Sequence, residues 1–284
     1  MRLVTYQSAN GAQLGVVRGD QIVAVPNLDM LSLIEQGEAG LAAAQAASGA
    51  TQALASAKLL APIPNPRRNI LCIGMNYAAH AAEGFRARGE PVVLPKIPVF
   101  FTKNTLAVNG PYDDVPWHSN ATQQVDWEVE LAVVIGKRGI NIAAADAFDY
   151  VFGYTVVNDV SARDRQREHQ QFFKGKSMDG SCPMGPWIVT KDEVPDPHNL
   201  QLRTKVNGVL KQNSNTSDFI FNIPTFIEWL SKGMTLLPGD VIATGTPEGV
   251  GFARNPPEFL GDGDIVECEV EGIGTIRNKV VKVG

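Results

Sequence analysis

Ten residues, Asp126-Trp127-Glu128-Val129-Glu130-Leu131-Ala132-Val133-Val134-Ile135, constrain this chain more than any other stretch. In a strand, residues two apart share a face, so Asp126, Glu128 and Glu130 are expected to point the same way. Glu130 then runs straight into five apolar residues, which places at least one of these carboxylates inside the protein. Buried like charges are costly or take up protons unless a cation neutralises them. The pattern leaves two readings. Either the acids gather a divalent metal, or they form a solvated strand face that meets Lys or Arg.

A third carboxylate shifts the balance toward metal. Phe152–Asn158 reads as an apolar strand that ends in Asp159, just before Ser161-Ala162-Arg163-Asp164. Asp159 alone would be an ordinary helix cap. Together with Glu128 and Glu130, and with no nearby His or Cys, it makes an all-oxygen set that suits Mg²⁺, Mn²⁺ or Ca²⁺ rather than zinc.

Other motifs carry weaker signals. In Asn76-Tyr77-Ala78-Ala79-His80-Ala81-Ala82-Glu83, a helix puts His80 and Glu83 on one face. A carboxylate beside an imidazole sets its tautomer and raises its basicity, which prepares a general base; the same spacing also describes a plain surface pair. Phe172-Phe173-Lys174-Gly175-Lys176-Ser177 offers a lysine to an anionic substrate or to water. Thr244-Gly245-Thr246-Pro247-Glu248-Gly249-Val250-Gly251 is either a turn or a backbone cradle for a carboxylate. No Walker A loop, dinucleotide fingerprint or G-x-S-x-G elbow is present.

Composition excludes several classes. The 284 residues carry 25 Lys+Arg against 30 Asp+Glu and are 44% hydrophobic, so neither disorder nor a phosphate-binding basic surface is expected, and no nucleic-acid partner. Apolar runs are far shorter than the roughly 20 residues that span a bilayer, so no membrane role is expected. Cys72, Cys182 and Cys268 form no C-x-x-C pair, and the N-terminus lacks a signal-like apolar stretch. A cytoplasmic protein with buried cysteines is the expectation.

Residues 1–25 read as strands, and 29–60 as one or two helices interrupted near Ser48-Gly49. Pro62, Pro64 and Pro66 then make a stiff extended connector. This places a small N-terminal α/β domain at 1–62 and a main domain at 69–284. The main domain reads as short strands with helices over Asn76–Arg88, Ser161–Gln170 and Ile223–Lys232. Strands dominate without regular βα alternation, so an α+β, β-rich sandwich or roll with peripheral helices is expected.

In order along the chain, IGMNYAAHAAE, VDWEVELAVVIGK, GYTVVNDVSARDRQ, FFKGKSMDGSCPMGP and GDVIATGTPEGVG resemble the fumarylacetoacetate hydrolase family, closest to its acylpyruvase-like branch. The resemblance covers 69–284 and implies a mixed β-sandwich roll with a Mg²⁺ or Mn²⁺ site, usually in a homodimer. By motif it implies Glu128, Glu130 and Asp159 as metal ligands and His80 with Glu83 as a water-activating pair on a lid. It implies Lys176 as the active-site lysine, with Gln166 and Thr246 contacting substrate oxygens. Met75 stands where many acylpyruvases have Arg. The function it implies is metal-dependent hydrolysis of a C–C bond in a 2,4-diketo acid, giving pyruvate and a carboxylic acid. The alternative is oxaloacetate decarboxylation or 2-hydroxy-dienoate isomerisation at the same metal-enolate site.

Overall fold

A computed structural model describes residues 1–284. Its longest sheet has eleven strands. Along its path the order is Thr51–Ala53, Gln21–Ala24, Gly11–Arg18, Arg2–Ser8, Cys182–Thr190, Val151–Asn158, Val129–Ile135, Val241–Ala243, Ile70–Gly74 and Val99–Lys103. Neighbours on this path are antiparallel except Val241–Ala243 with Ile70–Gly74, which run parallel. A second sheet of five strands orders Val209–Asn215, Gln201–Val206, Ile265–Val270, Gly274–Val283 and Val115–His118. The molecule is the β-rich α+β sandwich with peripheral helices that the strand pattern predicts.

The strand Val129–Ile135 is apolar throughout because it is the wall between two cores. Val129, Leu131, Val133 and Ile135 pack with Leu202, Val266 and Ile276 of the second sheet. Ala132 and Val134, on the opposite face, pack with Leu33 and Ile34 of the first helix and with Ile70 and Cys72. Glu130 shares the parity of Ala132 and Val134, which aims it away from the second sheet.

Helices follow the apolar spacing where tertiary packing agrees with it. Ile223–Ser231 buries Ile223, Phe226, Ile227 and Leu230 and is capped by the Asn222 side chain. The Ala-rich stretch behaves differently. It forms helices Met30–Gln36 and Glu38–Gln45, broken at Gly37 rather than near Gly49, and then turns into strand Thr51–Ala53 and a short 3₁₀ turn. Pairing with Gln21–Val23 outweighs the helix propensity of QALAS. Likewise Ser161–Ala162 pairs with Val125–Asp126, and the helix begins only at Arg163. No helix is long and apolar enough to cross a membrane.

The proline connector separates two segments of sequence, but the sheet and one core run across it. Arg2 and Leu3 pair with Val189 and Ile188. Leu3, Leu14, Leu33 and Ile34 lie in one buried cluster with Ile70, Phe152 and Ile188. A fully buried Leu or Ile contributes about 1.5–3 kcal/mol, so these four alone approach the roughly 5–15 kcal/mol of a whole domain. Deleting residues 1–62 is therefore expected to yield aggregated protein, checked by soluble yield and far-UV circular dichroism. A soluble, folded fragment starting at residue 63 would show that the main domain stands by itself.

Candidate active site

Two antiparallel strands bring the acids together. Val129 pairs with Asn158 and Glu130 with Val157, so Glu128 and Asp159 flank adjacent strand ends, and the Asp159 N–H donates to the Glu128 carbonyl. One carboxylate oxygen each from Glu128, Glu130 and Asp159 lies within 4.8 Å of the others, and all three residues are buried. Asp126 does not join them. Strand pairing lapses at Trp127-Glu128, and Asp126 instead accepts hydrogen bonds from the N–H groups of Trp127, Gly251 and Phe252. The shared face expected for all three acids needs a continuous strand, and the break releases Asp126 to anchor the Gly251 loop.

Three buried cations surround the group. Lys176 Nζ donates to Glu128 Oε2 and to Asp159 Oδ2, both at 2.7 Å. Lys103 Nζ donates to Asp159 Oδ1 at 2.6 Å and to the Val160 carbonyl at 3.1 Å. Arg163 bridges Asp126 at 2.8 Å and Glu128 at 2.6 Å. Burial would raise the Glu128 carboxyl, yet Lys176 and Arg163 hold it well below the usual carboxylate range. Burial would also discharge Lys176, but Asp159 and Glu128 keep its ammonium above the ordinary value.

Glu130 is the exception, and it tests whether a cation fits. Its only hydrogen bond is from the Gly245 N–H to Oε2 at 2.8 Å. Burial pushes its carboxyl well above the usual range, and neighbouring Asp159 and Glu128 push it further. Four buried carboxylates thus face three buried cations, with the surplus negative charge on an all-oxygen cluster. That donor set and charge suit a hard divalent cation.

The Gly-rich loop is held in place by its own geometry. Gly245 has φ +95°, and an added Cβ would lie 2.9 Å from Asn76 Cβ, so glycine brings this N–H to Glu130. Asn76 in turn donates to the carbonyls of Phe221 and Thr244 and accepts from the Phe221 N–H. Those bonds hold Met75 at φ +54°, a conformation that costs a non-glycine residue about 1–3 kcal/mol and often marks a functional site.

His80 and Glu83 sit on helix Ala78–Ala87, with His80 Nδ1 2.9 Å from Glu83 Oε1. An ionised carboxylate only accepts, so Nδ1 donates to Glu83, and in the neutral imidazole Nε2 then carries the lone pair. Glu83 also accepts from the Gly249 N–H, which ties the helix to the Gly-rich loop. His80, Glu128, Glu130, Lys176, Gln166 and Thr246 all line one cavity of about 780 Å³.

The remaining predicted contacts have partners inside the protein. Gln166 Oε1 accepts from Arg163 Nη1 at 3.2 Å. The Thr246 hydroxyl donates to the Val129 carbonyl and accepts from Gln212. Lys103 and Arg163 are site residues that sequence reasoning missed. A lysine closing the strand-like stretch Val99-Phe100-Phe101-Thr102 is the available signal for Lys103. Cys72 and Cys182 are buried behind the acids, and burial raises both thiols, Cys182 to about 12, as suits packing groups.

The fold and the buried cluster of three carboxylates come together in one known enzyme family. The fumarylacetoacetate (FAA) hydrolase C-terminal model matches residues 69–281, and the chain belongs to that family. Oxaloacetate tautomerase YisK of Bacillus subtilis (strain 168) is 52% identical over 227 residues, 80% of this chain and 74% of that protein. Mitochondrial oxaloacetate tautomerase FAHD2B of Bos taurus is 46% identical over 297 residues, 99% of this chain and 92% of that one. A crystal structure of maleylpyruvate hydrolase from Sphingobium sp. SYK-6, in complex with manganese(II) and pyruvate, is 35% identical over all of both chains, with a TM-score of 0.81.

Proposed function

We propose that this protein interconverts the keto and enol forms of oxaloacetate. The observation that carries the reading is His80, whose free Nε2 belongs to the same cavity as Glu128 and Glu130. High identity to two oxaloacetate tautomerases supports the choice of reaction. Glu128, Glu130 and Asp159 would hold a divalent cation, Mg²⁺ or Mn²⁺, which would supply Lewis-acid stabilisation of the enolate charge. His80 Nε2 removes a proton from C3, and Glu83 balances the imidazolium that results. The proton returns at the C2 oxygen, so no atom is gained or lost. Lys176 has three N–H donors and uses two on Glu128 and Asp159, leaving one for a substrate oxygen. Arg167 lines the same cavity and has only the Gln124 amide oxygen as partner, which suits the second carboxylate of a dicarboxylic acid.

Hydrolysis of a 2,4-diketo acid uses the same parts, with water rather than C3–H supplying the proton to His80. The likeness to maleylpyruvate hydrolase favours that second reading. The two separate in a direct assay. With Mn²⁺, the enol absorbance of oxaloacetate is expected to relax faster than in buffer by about 10²–10⁴-fold, the contribution of a positioned base. Acetylpyruvate cleavage should be much slower. Rapid cleavage with no acceleration of enol relaxation would put the hydrolase reading in its place.

A further inference from the structure

Helix Ala78–Ala87 turns one face to the cavity. His80, Gly84 and Arg88 follow one another at i, i+4 and i+8, and all three line the cavity together with Phe85. Arg88 closes the helix, and its side chain folds back over the preceding turn. Its Nη1 lies 3.5 Å from the point that a Cβ on Gly84 would occupy, and Phe252 Cζ lies 3.7 Å from the same point. The guanidinium also stacks on the Phe85 ring, 5.0 Å from its centroid.

What sets Arg88 apart is its free donors. Of the N–H groups of its guanidinium only Nε is engaged, with Glu90 Oε2 at 2.9 Å, and Nη1 and Nη2 have no partner in the protein. The pair with Glu90 is exposed and therefore weak, and it leaves free the two-nitrogen fork that grips a carboxylate. Lys176 and Arg163, by contrast, are committed to Glu128, Asp159 and Asp126. The Phe252 ring lies under the Arg163 guanidinium, 4.5 Å from centroid to Cζ, so a phenyl ring separates Arg88 from the arginine that holds the acids.

We infer that Arg88 takes the far carboxylate of a 2-oxo dicarboxylate, and that its place on the His80 helix ties recognition of that carboxylate to the placement of the base. The inference deepens the tautomerase reading and rests on it. A 2-oxo monoacid offers Arg88 nothing, and the helix then gains no contact from the substrate's far end. Arg167 reaches the same cavity from helix Arg163–Glu168, a different element, so it adds affinity without acting on His80. Arg88 determines specificity and touches none of the reacting atoms.

The test compares oxaloacetate with phenylpyruvate, a 2-oxo monoacid whose enol is also followed by absorbance, in full-length protein with Mn²⁺. Arg88 is exposed at a helix end, so Arg88→Gln should fold normally. The kcat/KM preference for oxaloacetate is expected to fall in that variant by about 10–100-fold, the usual worth of hydrogen bonds to a charged group, with kcat falling as KM rises. Arg88→Lys, which keeps the charge but loses the fork, should lie between. Equal losses on both substrates would mark Arg88 as a structural helix end and overturn the inference. A higher KM with unchanged kcat would overturn the tie to His80. A binding measurement separates this inference from the reaction. 2-Oxoglutarate and 2-oxopentanoate have the same carbon chain and differ only in the far carboxylate. Calorimetric titration into Mn²⁺-loaded protein should favour 2-oxoglutarate, and Arg88→Gln should remove most of that advantage. That result without any acceleration of enol relaxation would sink the tautomerase reading and leave the carboxylate contact standing. No preference in the wild type, or a preference that survives in Arg88→Gln, would sink the contact whatever the reaction.

Discussion

Glu130→Gln is expected to abolish divalent-cation binding and turnover while leaving thermal stability unchanged or higher. Glu130 is buried, has no cationic partner at hydrogen-bond distance, and is crowded by Asp159 and Glu128. Gln keeps the acceptor for Gly245 and removes the unpaired charge. Glu128→Gln should lose the cation as well, but at a structural cost. Glu128 sits between Lys176 and Arg163, and removing one partner of a buried ion pair costs about 3–5 kcal/mol. Calorimetric melting of the two variants beside wild type, with a metal titration of each, checks both halves. Equal destabilisation of the two would show that Glu130 is paired in solution, and retained binding in Glu130→Gln would remove it from the ligand set.

The second large effect belongs to His80. His80→Ala should slow enol–keto relaxation of oxaloacetate, and any acylpyruvate cleavage, by about 10²–10⁴-fold. Cation binding should survive, since His80 is not among the clustered oxygen donors. Oxaloacetate decarboxylation should fall less, because loss of CO₂ requires neither a C3 proton nor an attacking water. Glu83→Gln should give a milder version of the same pattern. It keeps a hydrogen-bond partner near Nδ1 and Gly249 but removes the charge that supports the imidazolium. Losses of equal size in tautomerisation and decarboxylation would instead mark His80 as a residue that orders the helix over the cavity.

Much of the site is legible in the amino-acid sequence. Carboxylates ahead of an apolar run, a third acid at a strand end and a His–Glu pair at helical spacing are local patterns with local physical meanings. The residues left out are those whose meaning is set by distant partners. Lys103 meets Asp159 across 56 positions, and Arg163 meets Asp126 across 37. Asp126 looks equivalent to Glu128 in the sequence, yet a lapse in strand pairing sends it to the Gly251 loop.

Alternation and apolar runs by themselves determine a β-rich chain with a buried acidic strand, because side-chain period and the cost of buried charge act within a few residues. Local propensity likewise settles Ile223–Ser231, where helix spacing and core packing agree. Tertiary structure alone decided that residues 1–62 join the main sheet, since pairing between Arg2–Leu3 and Ile188–Val189 depends on chain segments far apart. It also decided that Glu128 is neutralised by Lys176 and Arg163 while Glu130 is not. Charge compensation in a low-dielectric interior depends on three-dimensional distance, and sequence separation carries no record of it.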